Sequence, residues 1–195
     1  MKVLLLGQHS RLLLEQLQSH DVVHTDSKLS QAETHAIGPE VIVSFGYRFI
    51  LPGEILQLPK FGAINIHISL LPWNRGSDPN FWSWLENTPK GVTTHRMTEK
   101  LDQGSVIAQS SLEMDSSLTL RQSYQQLLEA GAKMFPTSLD SVLSGEAGLK
   151  QFEEAGTYHS SSQFAQYSFL LAENGWDTSG LVIQEFGRDN GLWRI

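Results

Sequence analysis

Apolar runs of strand length alternate with helical patterns along the chain. Val3-Leu4-Leu5-Leu6, closed by Gly7, is a continuous apolar run that predicts a strand buried on both faces. Ser10 then stands at the N-cap position of an amphipathic helix expected to run to about residue 20. Residues 21–24 and 41–45 read as the second and third strands, and the stretch between them holds about one helix. Ala63, Ile64, Ile66, Ile68, Leu70 and Leu71 predict a fourth strand buried on both faces. It should end near Pro72, which has no N–H to give to a ladder.

Beyond it, residues 79–87 predict a short helix carrying Phe81, Trp82, Trp84 and Leu85 into the core, and 91–97 and 105–114 predict two more strands. The loop 98–104 lies between those strands. From 119 to 143, Leu120, Tyr124, Leu127, Met134, Leu139 and Val142 recur at helical spacing, with Gly131 and Pro136 as interruptions, so one kinked helix or two short ones are expected. Residues 151–195 lack long periodicity and read as a partly irregular appendage. The aromatic residues there, Tyr158, Phe164, Tyr167, Phe169, Trp176, Phe186 and Trp193, suit packing onto the main domain, an acceptor wall, or a subunit contact that would make a homodimer. There is no internal repeat. The expected fold is therefore α/β and Rossmann-like: a mostly parallel sheet flanked by helices, with a short C-terminal appendage.

Composition narrows the reading. A chain of 195 residues with 40% hydrophobic content buries one sizeable core, giving a domain over 1–150 and the appendage over 151–195. The apolar run after Met1-Lys2 is too short for a signal peptide or a membrane span, so a cytoplasmic protein without membrane attachment is expected. No cysteine is present, which excludes disulfides and thiol catalysis. A net charge of −7 argues against broad attraction to nucleic acid, although Arg48, Arg75, Arg96 and Lys100 could gather locally around an anionic ligand. The opening strand-turn-helix carries one glycine and no Gly-x-Gly-x-x-Gly, so no dinucleotide site is expected there.

The chemistry concentrates around Asn65 and His67. Two apart on a strand, they point the same way. Asp102 follows His67 by thirty-five residues, across a helix and another strand, far enough to return to them. An amide, an imidazole and a carboxylate around one carbonyl fit acyl transfer to an amine: Asn65 donates to the oxygen that becomes negative, His67 donates or moves a proton, and Asp102 favours and orients the imidazolium. Ser69 lacks the strand-turn-helix elbow of a serine nucleophile. His95, on its own strand, reads as structural support. A metal site of His67, His95 and Asp102 has no recognised ligand spacing, and no metal is expected.

Several runs stand in a fixed order: Val43-Ser44-Phe45-Gly46-Tyr47-Arg48-Phe49-Ile50-Leu51-Pro52, Gly62-Ala63-Ile64-Asn65-Ile66-His67-Ile68-Ser69-Leu70-Leu71-Pro72, Arg75-Gly76 with Pro79 and Trp82, Gly91-Val92-Thr93-Thr94-His95-Arg96-Met97, and Asp102-Gln103-Gly104. Over roughly residues 41–114 the chain thus resembles the formyltransferase family that uses 10-formyltetrahydrofolate. The resemblance implies that Asn65, His67 and Asp102 are the catalytic trio. It also implies that the backbone of Tyr47, Arg48, Phe49, Ile50 and Leu51 reads the pterin ring of the cosubstrate. Arg75 and Gly76 are candidates for a loop at the substrate mouth, the alternative being a solvated arginine after a turn.

Phe45-Gly46-Tyr47-Arg48 looks more like the sugar-modifying branch, so the implied acceptor is a small-molecule amine such as a nucleotide-linked amino sugar. Methionyl-tRNA formyltransferases resemble this chain only in the catalytic domain and carry a further C-terminal domain and a basic surface for tRNA, and the acidic charge and short length count against that branch. In place of the glycine- and serine-rich phosphate loop of the glycinamide ribonucleotide branch stands Gly7-Gln8-His9-Ser10. The family usually has more chain before the third strand, so the N-terminal half is abbreviated. That leaves a folate-binding protein without turnover as the alternative of another class.

Overall fold

The computed structural model describes residues 1–152 and 156–194. In chain order it contains β1 (Lys2–Leu6), a 3-10 helix (Ser10–Leu17), β2 (Asp21–Thr25), α1 (Gln31–Ile37), β3 (Val41–Ser44), α2 (Gly53–Leu56), β4 (Ala63–His67), β5 (Arg75–Gly76), α3 (Pro79–Leu85), β6 (Gly91–Arg96) and β7 (Val106–Ser111). There follow α4 (Leu120–Leu143), β8 (Tyr158–His159), α5 (Ser161–Tyr167), 3-10 turns at Ser168–Leu171 and Gly175–Asp177, and α6 (Gly180–Asp189). The fold is α/β, as expected.

Two compact units interleave along the sequence. The first comprises Met1–His67, Thr93–Ala108 and Gly131–Gln151, the second Ile68–Val92, Gln109–Ala130 and Phe152–Ile195.

The first unit is built on a six-stranded sheet of order β2-β1-β3-β4-β6-β7, of which it holds β1 to β4 whole with residues 93–96 of β6 and 106–108 of β7. The first four strands in that order are parallel, and β6 runs antiparallel to β4. Burial follows the apolar runs: Val3, Leu4, Leu5, Leu6, Val41, Ile42 and Val43 have no exposed surface. Leu4, Leu6, Ile42, Leu51, Ile55 and Ala63 form one cluster on this sheet.

The connections are short. The segment from Ser10 is a 3-10 helix, not the expected amphipathic α-helix, and Ser10 does not cap it. Its hydroxyl donates instead to the Gly7 carbonyl at 2.7 Å. Helix α1 has seven residues and opens on a capping box in which the Ser30 side chain accepts from the Glu33 N–H and the Glu33 carboxylate accepts from the Ser30 N–H.

Helix α4 runs unbroken through both expected interruptions. Pro136 cannot supply the N–H that the Ala132 carbonyl would accept, and the Gln16 side-chain amide donates to that carbonyl instead, at 3.0 Å. Gly131 marks a close approach, since a methyl group at its α-carbon would sit 2.8 Å from Ile66 Cγ2 and 3.0 Å from Phe45 Cζ.

In the second unit, every residue of α3 is buried and the helix packs on α6. Gly187 of α6 permits this, because a side chain there would fall onto the Leu85 carbonyl oxygen. The tail holds more regular structure than expected: α5 and α6 start on Ser160 and Ser179, each accepting from a backbone N–H. Phe164, Tyr167 and Phe186 pack against the cluster of Phe81, Trp82, Trp84 and Leu85. A small parallel pair, β5 with β8, places Arg75 opposite Tyr158 and Gly76 opposite His159. The His159 ring stacks on Trp82 at 3.8 Å and lies 3.1 Å from a Glu86 oxygen, and Arg194 donates to the other. Burial alone would push the Glu86 carboxyl up, but His159 and Arg194 outweigh it and hold the group below its ordinary value.

Lys90 lies 3.9 Å over the Trp84 ring and donates to the Ser83 carbonyl at 3.0 Å. Burial lowers its ammonium pKa from 10.5 to about 8. Between those values the unfolded chain holds a proton that the folded chain has released, so this group's contribution to stability grows as pH rises through the window. Urea midpoints of the wild type relative to Lys90→Met, which has no charge to titrate, should therefore improve between pH 7.5 and pH 10. A constant difference would contradict this assignment. Among the described residues, no helix is long and apolar enough to cross a membrane.

Candidate active site

Three segments of the first unit converge on one cluster. β4 presents Asn65 and His67 on one face, and the antiparallel pairing sets Asn65 opposite His95 and His67 opposite Thr93 on β6. The strand ends at His67, earlier than Pro72, because the chain already turns over residues 68–74, where the Trp73 N–H donates to the Leu70 carbonyl and the Ser69 hydroxyl to the Trp73 carbonyl. The loop after β6 then brings Asp102 back. It has φ +54°, a left-handed conformation uncommon for a residue with a side chain.

The Asp102 carboxylate lies between two imidazoles. Oδ2 is 3.8 Å from His67 Nδ1, and Oδ1 is 3.4 Å from His95 Nε2 and 3.5 Å from Asn65 Nδ2. The His67 contact is an ion-pair distance, longer than a direct hydrogen bond. His67, His95 and Asp102 are 7%, 2% and 6% exposed, so water screens these contacts little. His95 Nδ1 lies 2.9 Å from the Arg96 carbonyl, which can only accept, so Nδ1 carries a proton. In the neutral ring, Nε2 is then the acceptor for the Asn65 amide, 3.3 Å away. The sequence placed His95 in a supporting role. In the structure it touches both Asn65 and Asp102. Among the described residues no group of three His, Cys, Asp or Glu is arranged to hold a metal ion.

Gln151 is the residue that sequence reasoning missed. Buried to 6% exposure, it donates from its amide to the carbonyls of Asp102, at 2.9 Å, and Gly104, at 2.8 Å. Nothing local in the sequence marks it, because its place depends on a bridge between Val106 and Leu149.

The 47–51 loop is anchored near both ends. The Tyr47 hydroxyl donates to the Ser27 carbonyl at 2.9 Å and accepts from the Leu29 N–H, and Leu51 is buried in the sheet cluster. Phe49 and Ile50 between them are exposed, Ile50 to 71%. Arg48 is exposed too. Burial, and after it the charge of Arg48, push the nearby His9 imidazole below its ordinary value. Arg75 and Gly76 lie in the second unit on β5. Arg75 is buried, so the solvated-arginine reading fails: the Arg75 N–H donates to the Thr157 carbonyl at 3.0 Å, in a ladder and not a loop.

Known proteins resemble this chain over much of its length. Methionyl-tRNA formyltransferase of Bacillus thuringiensis (strain Al Hakam) is 37% identical over 125 residues, 63% of this chain. The match spans only 40% of that protein's length. The crystal structure of the formyltransferase PseJ from Anoxybacillus kamchatkensis, in complex with UDP-4,6-dideoxy-4-formamido-L-AltNAc and tetrahydrofolate, superposes with a TM-score of 0.87 at 36% identity, covering 96% of this chain and all of that one. A sugar N-formyltransferase from Shewanella sp. FDAARGOS_354 shares the fold at 21% identity, with a TM-score of 0.73 over 96% of this chain and 86% of that one. Residues 11–139, which include Asn65, His67 and Asp102, match the model of the formyl transferase family, and the chain belongs to that family.

Proposed function

We propose that the protein transfers the formyl group of 10-formyltetrahydrofolate to the primary amine of a nucleotide-linked amino sugar. One observation carries the chemistry: a buried carboxylate 3.8 Å from His67 and 3.5 Å from the Asn65 amide, beside the strand that presents both. The acceptor class is supported by the similarity to PseJ along its whole length, since that enzyme was crystallised with a formamido sugar nucleotide and tetrahydrofolate.

In this reading the free amine of the acceptor adds to the formyl carbon and the carbonyl electron pair moves onto oxygen. Asn65 and the protonated His67 donate to that oxygen, as donors aimed at developing charge should. His67 gives its proton to N10 of the folate, the attacking nitrogen returns one to the imidazole directly or through a relayed water, and the electron pair on oxygen re-forms the carbonyl as the bond between the formyl carbon and N10 breaks. Asp102, facing His67 Nδ1, orients the ring for both transfers.

The exposed middle of the 47–51 loop is assigned to the pterin ring, with backbone groups of Tyr47, Arg48, Phe49, Ile50 and Leu51 as its readers. Arg75 and Gly76 are assigned to the acceptor on the sequence resemblance alone. The roles of 151–195 as acceptor wall or homodimer contact, and a cytoplasmic location, belong to the same proposal. The reaction as written needs no metal.

A second reading follows from the 37% identity to methionyl-tRNA formyltransferase: the acceptor is a charged tRNA. Both are tested by incubating the protein with 10-formyltetrahydrofolate and a panel of amino-sugar nucleotides, simple amines and methionyl-tRNA, and weighing the products. A formyl mass on a sugar nucleotide is the expected result. Formylation of methionyl-tRNA alone would move the assignment to the second reading, and folate binding with no formylated amine would make this a binding protein.

A further inference from the structure

We propose that Gln151 is a positioning residue for formyl transfer: its buried amide holds the 102–104 turn and so sets the Asp102 carboxylate between His67 and His95. This rests on the formyltransferase reading above.

The Gln103 N–H reaches the Lys100 carbonyl only at 3.4 Å, and the Thr98 hydroxyl donates to the same carbonyl at 3.0 Å. Asp102 itself has a left-handed φ of +54°, which costs energy in a residue with a Cβ. The carbonyls on either side of Gln103, those of Asp102 and Gly104, both accept from Gln151 Nε2. One amide thus spends both hydrogens on this turn, in a place where water competes little. Two short bonds, Val106 N–H to the Leu149 carbonyl and Leu149 N–H to the Val106 carbonyl, each 2.7 Å, put that amide in register. The antiparallel bridge between those residues brings residue 151 opposite residue 104.

Without the amide, the carbonyls of Asp102 and Gly104 lose the Gln151 donor, and the strained backbone at Asp102 is less firmly held in the left-handed region. The carboxylate moves with it. A displacement of about 1 Å at a reacting group lowers a rate by as much as about 100-fold.

Two variants test this. Gln151→Leu keeps the size and removes both donors, and Gln151→Glu keeps the shape and turns an acceptor toward two carbonyls. Each should lower kcat by about 30-fold, with KM for 10-formyltetrahydrofolate changed by less than about threefold, because the 47–51 loop is untouched. The same substitutions made in an Asp102→Asn protein should cost less than about threefold more, since the carboxylate they misplace is already gone. Wild-type kcat in either folded variant, or full additivity with Asp102→Asn, would overturn the proposal. Should Gln151→Leu fail to fold, the isosteric Gln151→Glu carries the measurement. A wild-type protein with no formyl transfer would instead count against the reaction itself, a separate result.

Discussion

Replacing His67 with alanine is expected to lower kcat by about 100-fold or more while folate binding is largely retained. The imidazole is buried, faces the Asp102 carboxylate, and stands on the strand that carries Asn65. On the proposed mechanism, truncating it removes a donor to the developing oxyanion together with the group that moves the proton, and leaves the 47–51 loop as it was. Losses confined to kcat identify an interaction made in the transition state, whereas a rise in KM at constant kcat would place His67 in ground-state binding. Steady-state kinetics with a separate folate titration distinguish the two. Turnover within a few-fold of wild type would remove His67 from the mechanism.

Enlarging Gly131 should have the largest effect on stability. Gly131→Ala gains up to about 1 kcal/mol of helix propensity. The added methyl would press on Ile66 Cγ2 at 2.8 Å, a branch of a side chain stiff at χ1, and on Phe45 Cζ at 3.0 Å, so a buried neighbour must shift and the gain is offset. Gly131→Leu has no such compensation. Its branches would enter a filled interior, at a cost of about 3 kcal/mol, read as a lower urea midpoint with unchanged m-value. Ile66 lies between Asn65 and His67, so the same variant should lose activity as well. A Gly131→Leu protein as stable as wild type would show that the approach of α4 to β4 is looser than described.

Gly131 also shows where the sequence stopped being readable. β1 and β3 were legible because burial on both faces leaves nearly continuous apolar runs, α3 because Phe81, Trp82, Trp84 and Leu85 gather in one short stretch, and Asn65 with His67 because a strand alternates its faces. Gly131 and Pro136 looked like breaks because local preference disfavours both inside a helix. What overrides it is distant: Phe45 and Ile66 leave no room for a side chain, and Gln16 supplies the donor that Pro136 withholds. The starts of α1 and α5 could have been found from the Ser-x-x-Glu and Ser-x-x-Gln signatures at 30–33 and 160–163. The burial of Arg75 could not, since it depends on pairing with residues more than eighty positions away. The same holds for Gln151, placed by a bridge that no local pattern announces.

The backbone passes between the two compact units five times, and this bears on how the protein is made. A ribosome delivers β1, β2 and β3 early, but Gly131, Pro136 and Gln151 come from the last of the three stretches that the first unit needs. Until translation has passed residue 143 the emerging sheet lacks the C-terminal half of α4, and until it has passed residue 151 it lacks the amide bonded to the Asp102 turn. The nascent chain must therefore wait, apolar surface uncovered, for its own later residues, and is most open to chaperone capture or proteolysis in that interval.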